Sequence, residues 1–174
     1  FFGAISPMLI TTCLLLISCF NQDIKGLVYL GGILIAGLIN VILQNTLKVK
    51  PKGTISPACN IIEFPFNLNE YDCPSFNSMW LSFTLLYLLM PMTFISSINI
   101  SIILFISGLI VVDSVTKFIG GCTTISGIGL GLIVGSILGL LWFIMIYSSG
   151  NKELLYFNID SSDNVVCSRP SKQT

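Results

Sequence analysis

Polar side chains are scarce in this sequence and fall in a few short clusters. Lys48 follows an apolar run. Pro74, Ser75 and Asn77 lie together in Cys73-Pro74-Ser75-Phe76-Asn77, and Thr116-Lys117 precedes Thr123 and Gly127. The ammonium groups of Lys48 and Lys117 could hold a phosphate. Cleaving a phosphate ester by covalent catalysis needs more: a nucleophile, a base to activate it and an acid for the leaving group. The 174-residue chain contains no histidine. Thr123 has no adjacent base, and an amide such as that of Asn77 cannot donate a proton as an acid. The protonic roles are vacant, so the clusters point to binding or packing.

Each cluster also has a structural explanation. Asp113 precedes Lys117 by one helical turn, the favourable order for an ion pair, and a pair at the end of a membrane span is preferred here to a phosphate ligand. Lys48, Lys50 and Lys52 suit lipid phosphates or an ordinary interfacial basic cluster. Gly127, Gly131, Gly135 and Gly139 recur at four-residue spacing, which lets helices approach closely in a bilayer, in preference to shaping a pocket floor. The six cysteines include no CxxC pair, and without histidine no metal site or cofactor is expected. Cys13 and Cys19 lie inside the first apolar run. A Cys59–Cys73 bridge would close a loop of about 15 residues and contribute roughly 3 kcal/mol in the chain-entropy model. Bridge and free thiols both stay open, because the redox compartment decides between them. Asn99-Ile100-Ser101 fits a glycosylation pattern but lies hard against a span.

These groups must be positioned by membrane helices. The chain is 53% hydrophobic and 9% charged, against roughly 25% charged residues in a soluble domain, and its mean hydropathy is +0.90. One domain is expected at this length. A net charge of zero gives no reason to expect nucleic-acid binding. Apolar runs near the length of a span cover about Gly3–Phe20, Gly26–Gln44, Ser78–Ile95, Ile98–Thr116 and Ser126–Tyr147. The first lacks a basic leader and reads as a retained span in place of a signal peptide. The predicted fold is all-α: a polytopic transmembrane bundle of about five spans over residues 1–147. It has an extramembrane loop at 45–77 and a polar tail at 148–174. Ser96-Ser97 makes a hairpin of the third and fourth spans, and Trp80 and Trp142 read as interface anchors. Lys48, Lys50, Lys52 and Lys117 fall on one face and Lys25, Lys152, Arg169 and Lys172 on the other, so positive charge does not orient the chain.

The order of the clusters resembles the type 2 phosphatidic acid phosphatase family over about Gly26–Tyr147. That family's third signature reads Ser-Arg, five residues, His, three residues, Asp, then glycines four and eight residues later. Thr116 and Lys117 take the first two places, Thr123 the His place, Gly127 the Asp place, and Gly131 and Gly135 the glycines. The second signature, Pro-Ser-Gly-His, is matched by Pro74-Ser75-Phe76-Asn77. Of the first, Lys followed by Arg-Pro, Lys48 is in place, the Arg-Pro is missing, and Lys50-Pro51 is a shortened remnant. The resemblance implies a helical membrane core and a vestigial site made of Lys48, Pro74, Ser75, Asn77, Thr116, Lys117, Thr123 and Gly127.

Residues 164–174, NVVCSRPSKQT, resemble a short motif in membrane proteins of large nucleocytoplasmic DNA viruses. The Ile-, Asn- and Phe-rich composition suits an AT-rich genome. Together these features lead to the expectation of a catalytically inactive, multi-pass structural or scaffold protein of a viral, capsid-associated membrane. Its partners would be the lipid bilayer and a capsid or other membrane protein held through loop 45–77 and tail 148–174. The alternative is a lipid-phosphate-binding protein, or a lipid phosphatase with altered chemistry. Leu154, Leu155, Tyr156 and Phe157 form an apolar patch that water would not favour leaving bare; a partner would cover it, or the tail folds back on its own bundle or lies in the interface.

Overall fold

The structure, a computed structural model, describes residues 2–49, 73–94, 98–151 and 154–156. Lys50, Lys52, Cys59, Ser96, Ser97, Phe157 and the tail motif lie outside them, and so do the expectations placed on those residues.

Long apolar runs with a single interior charge, Asp113, leave the backbone one solution in an apolar medium, which is to close its hydrogen bonds within helices. Five helices form among the described residues: α1 Phe2–Phe20, α2 Lys25–Leu47, α3 Phe76–Phe94, α4 Ile100–Ile119 and α5 Ile125–Ser148. They coincide with the five apolar runs, and three run on at their ends. Helix α2 continues to Leu47 and α3 starts at Phe76, so the expected loop 45–77 loses residues at both ends to helix. Helix α4 continues past Thr116, which puts Lys117 in its last turn. Asn99 caps α4 by accepting the Ser101 N–H at 3.2 Å.

Three of these helices, α2, α4 and α5, are long and apolar enough to cross a membrane, which is compatible with an integral membrane protein. In α1 the shorter stretch Ile5–Phe20 is apolar. Helix α3 carries Asn77, Ser78, Ser82 and Thr84 and is buried on most of its circumference. That difference sets the architecture. Helix α3 lies at the centre, and the polar residues it carries are shielded by its neighbours. The outer helices turn Leu104, Phe105, Val111, Ile133, Leu141 and other large apolar side chains outward.

The tightest seam joins α3 to α5, which run parallel. A Cβ built on Gly131 would lie 2.6 Å from the Ser75 carbonyl, one on Gly139 would lie 2.6 Å from the Phe83 carbonyl, and one on Gly135 would collide with the Met79 carbonyl. The four-residue spacing on α5 therefore matches Ser75, Met79 and Phe83 on α3, as expected for backbones in direct contact. Ser82 Oγ reinforces the seam, donating to the Leu132 carbonyl at 2.6 Å and lying 2.8 Å from Ser136 Oγ.

A second contact region joins α1, α2 and α3. Trp80 Nε1 donates to Thr11 Oγ1 at 2.9 Å, and Tyr29 OH lies 2.7 Å from Thr84 Oγ1. Trp80 is thus a core residue and not the interface anchor expected for it: its ring fills space between helices and its N–H finds a partner there. Trp142 likewise lies against Gly31 and Gly32 of α2. Leu155 and Tyr156, for which cover by a partner was preferred, follow the fold-back alternative: they are buried in the same core, where Tyr156 OH donates to the Leu14 carbonyl at 3.1 Å.

Gly135→Val should force α3 and α5 apart and cost about 1–3 kcal/mol, the usual range for overpacking. Gly129→Ala, where an added Cβ meets nothing within 4 Å, should be close to neutral. Thermal unfolding of both variants in detergent checks the contrast.

Candidate functional site

The polar clusters converge at one end of the bundle, where α2 and α4 finish and α3 and α5 begin. Ser75 is the hub. Its N–H donates to the Gly127 carbonyl at 2.9 Å, which joins the starts of α3 and α5. Its Oγ accepts from Lys117 Nζ at 3.1 Å and from Ser78 Oγ at 3.2 Å. The preceding carbonyl, that of Pro74, accepts from Gln44 Nε2 at 2.8 Å and more weakly from Asn40 Nδ2 at 3.5 Å. Four helices therefore meet on two consecutive residues.

The expected ion pair is present: Lys117 Nζ lies 3.3 Å from Asp113 Oδ2. Asn77 Nδ2 donates to the other carboxylate oxygen, Oδ1, at 3.4 Å. The Asp113 side chain is 1% exposed and that of Lys117 19%. A carboxylate this deeply buried is tolerable only when paired and hydrogen-bonded, and here Lys117 and Asn77 supply both. Lys117 also sits in the last turn of α4, where a cation is favoured by the helix dipole. Asp113 and Ile106 are the side chains that α4 buries, so much of the specific hold on that end of α4 is polar.

The remaining residues expected in the site are placed as follows. Gly127 is buried at the first turn of α5, where its N–H donates to the capping Thr124 Oγ1 at 3.2 Å. Thr123 is buried just before it and donates to the Thr124 carbonyl at 3.2 Å. Thr116 is exposed and turns back on its own helix, donating to the Val112 and Asp113 carbonyls at 2.8 and 3.0 Å. Lys48 is exposed at the end of α2 in a left-handed conformation, φ 46°, one turn beyond Gln44. Ser75, Asn77, Lys117, Pro74 and Gly127 thus come together, while Thr116 and Lys48 turn away from them.

Asn40, Gln44, Ser78 and Asp113 belong to the cluster although the motif frame does not include them. Their sequence signal is modest but physical: a polar side chain inside an apolar run needs a partner at the same depth, and Asn40 and Gln44 share one face at helical spacing.

A serine hydroxyl beside a lysine is the pairing from which a Ser–Lys nucleophile can be built. The ion pair with Asp113 uses Lys117 as the ammonium, which donates to Ser75 Oγ and has no lone pair with which to take its proton. The cluster as arranged binds its own charges.

The disulfide-bonded cysteine among the described residues is Cys122, in the bend between α4 and α5, a position to which no bridge was assigned from the sequence. Cys59 lies outside the described residues, and Cys73, buried just ahead of Ser75, is a thiol and not half of a disulfide, so the expected Cys59–Cys73 bridge is not formed. Among the described residues no group of three or more His, Cys, Asp or Glu side chains is placed to hold a metal ion. Compared with models of protein families, with characterised proteins and with solved structures, the chain matches none.

Replacing one partner of the buried pair, as in Asp113→Leu or Lys117→Met, should cost about 3–5 kcal/mol, since it leaves a buried charge uncompensated. The double substitution should recover most of that loss. A double-mutant cycle of unfolding free energies measures it.

Proposed function

We propose that this chain is a five-span integral membrane protein whose core is a degenerate phosphatidic-acid-phosphatase-like bundle, without catalytic activity, serving as a structural component of a membrane. The observation that carries this proposal is the closure of the polar cluster on itself. Lys117, in the place of a phosphate-binding arginine, is engaged by Asp113 and Ser75. Asn77, in a histidine place, donates to the same Asp113. Gly127, in the aspartate place, has its carbonyl bonded to Ser75. Groups that in the family would meet substrate and protons are here spent on helix packing. The glycine frame, by contrast, is in full use at the α3–α5 seam. A bundle that keeps its packing motif and lacks its protonic groups suits an architectural role.

The partner surface of such a scaffold lies outside the bundle. Leu155 and Tyr156 are buried, so we assign the partner contact to the tail beyond Tyr156. The viral motif at residues 164–174 falls in that part and makes a capsid-associated membrane the proposed setting.

Purified protein should release no phosphate from phosphatidic acid above background. Deletion of residues 157–174 should leave the bundle folded and inserted while abolishing incorporation into particles, measured by quantifying the protein in purified particles. Turnover that Lys117→Ala abolishes would overturn the inactive reading. Normal incorporation of the truncated chain, with Lys48 or Lys117 changes blocking it, would favour lipid-phosphate binding.

A further inference from the structure

The chain does not leave the bundle when α5 ends at Ser148. Gly150 takes a left-handed φ of 79°, which a side chain would strain, and the Leu154 N–H donates to the Asn151 carbonyl at 3.1 Å. The reversal brings Leu155 and Tyr156 into the core at 4% and 8% exposure. The Tyr156 ring then packs edge-on against Tyr87 of α3, with centroids 6.5 Å apart. Its hydroxyl donates at 3.1 Å to the Leu14 carbonyl of α1, a contact between residues 142 positions apart in the chain.

Helix α1 lies at the edge of the bundle, with Leu9, Leu16, Ile17 and Phe20 turned outward. Polar ties along its second half hold it to the bundle. Thr11 meets Trp80 and Tyr29, Leu14 meets Tyr156, and Ser18 meets Gly26 of α2 together with the Asp23 carbonyl of the α1–α2 turn. The middle tie is made by a residue that belongs to no helix and reaches α1 through the reversal at Gly150. The Tyr87 hydroxyl is buried and has no hydrogen-bond partner among the described residues, so loosening the packing around Tyr87 would let water reach a polar group.

We propose that Leu155 and Tyr156 form a strap that holds the second half of α1 against α3. The strap stands on contacts within this chain.

Hydrogen exchange of the full chain in detergent micelles, followed by mass spectrometry, tests the strap in the absence of any partner. Tyr156→Phe, which removes only the hydrogen bond, should speed exchange in the second half of α1 and the α1–α2 turn about threefold. Tyr156→Ala, which also removes the ring, should speed it about tenfold. Gly150→Val keeps both strap side chains but strains the reversal, and it should give the same regional signature. Exchange along the α3–α5 seam should stay unchanged in all three. Unaltered α1 exchange in Tyr156→Ala and Gly150→Val would overturn the strap, and so would an equal rise in α1 and α5, which would make these residues ordinary core. Deleting residues 157–174 should leave α1 exchange at the full-chain value. A truncated protein that still enters particles removes the scaffold role without touching the strap.

Discussion

Direct backbone contact between α3 and α5 is the constraint on which the other features depend. With no Cβ at Gly131, Gly135 and Gly139, the α5 backbone lies on the carbonyls of Ser75, Met79 and Phe83. At that separation the Ser75 N–H can reach the Gly127 carbonyl and Ser82 can reach across to α5. A larger residue anywhere in the seam would separate the starts of both helices and dismantle the hub at Ser75. Dispersion contacts between apolar side chains distinguish poorly between neighbours in an apolar medium; a row of glycines facing a row of carbonyls specifies both partner and register.

The bundle inverts the usual distribution of polarity. Its outer surface is covered by leucine, isoleucine, valine and phenylalanine, while Asn40, Ser78, Ser82, Thr84 and Asp113 are buried within. Each buried polar group needs a partner at its own depth, and the sets are local: one around Ser75 and Asp113 at one end, another linking Thr11, Tyr29, Trp80 and Thr84. Hydrogen bonds of this kind contribute modest net energy, but they fix which helices lie together. The cluster that most resembles an active site is, on this view, the most demanding of these structural sets, because it contains two charges.

The core does not stop at the last helix. Composition left open whether the apolar patch after α5 meets a partner or folds back on its own bundle, and Leu155 and Tyr156 supply part of the bundle's own core. The bundle therefore extends at least to Tyr156, beyond the end of α5.

By itself the sequence determined the helices and their order, because run length and the near absence of charge leave an apolar backbone few alternatives. It also determined the close α5 seam and the Asp113–Lys117 pair, since both depend on spacing within one helix, where geometry is fixed by the 3.6-residue turn. What lay between helices was not legible. No spacing rule states that Asn40 and Gln44 meet the Pro74 carbonyl, that Lys117 shares Ser75 with Gly127, or that Thr116 turns away from both. Trp80 looked like an anchor because it sits near the end of an apolar run; only the placement of Thr11 on a neighbouring helix made it a core residue. Tyr156 belonged to an apolar patch whose cover the sequence left open, and only the tertiary fold brought it to Leu14. In each case the deciding partner is distant in the chain, and which distant groups meet is set by how the helices pack.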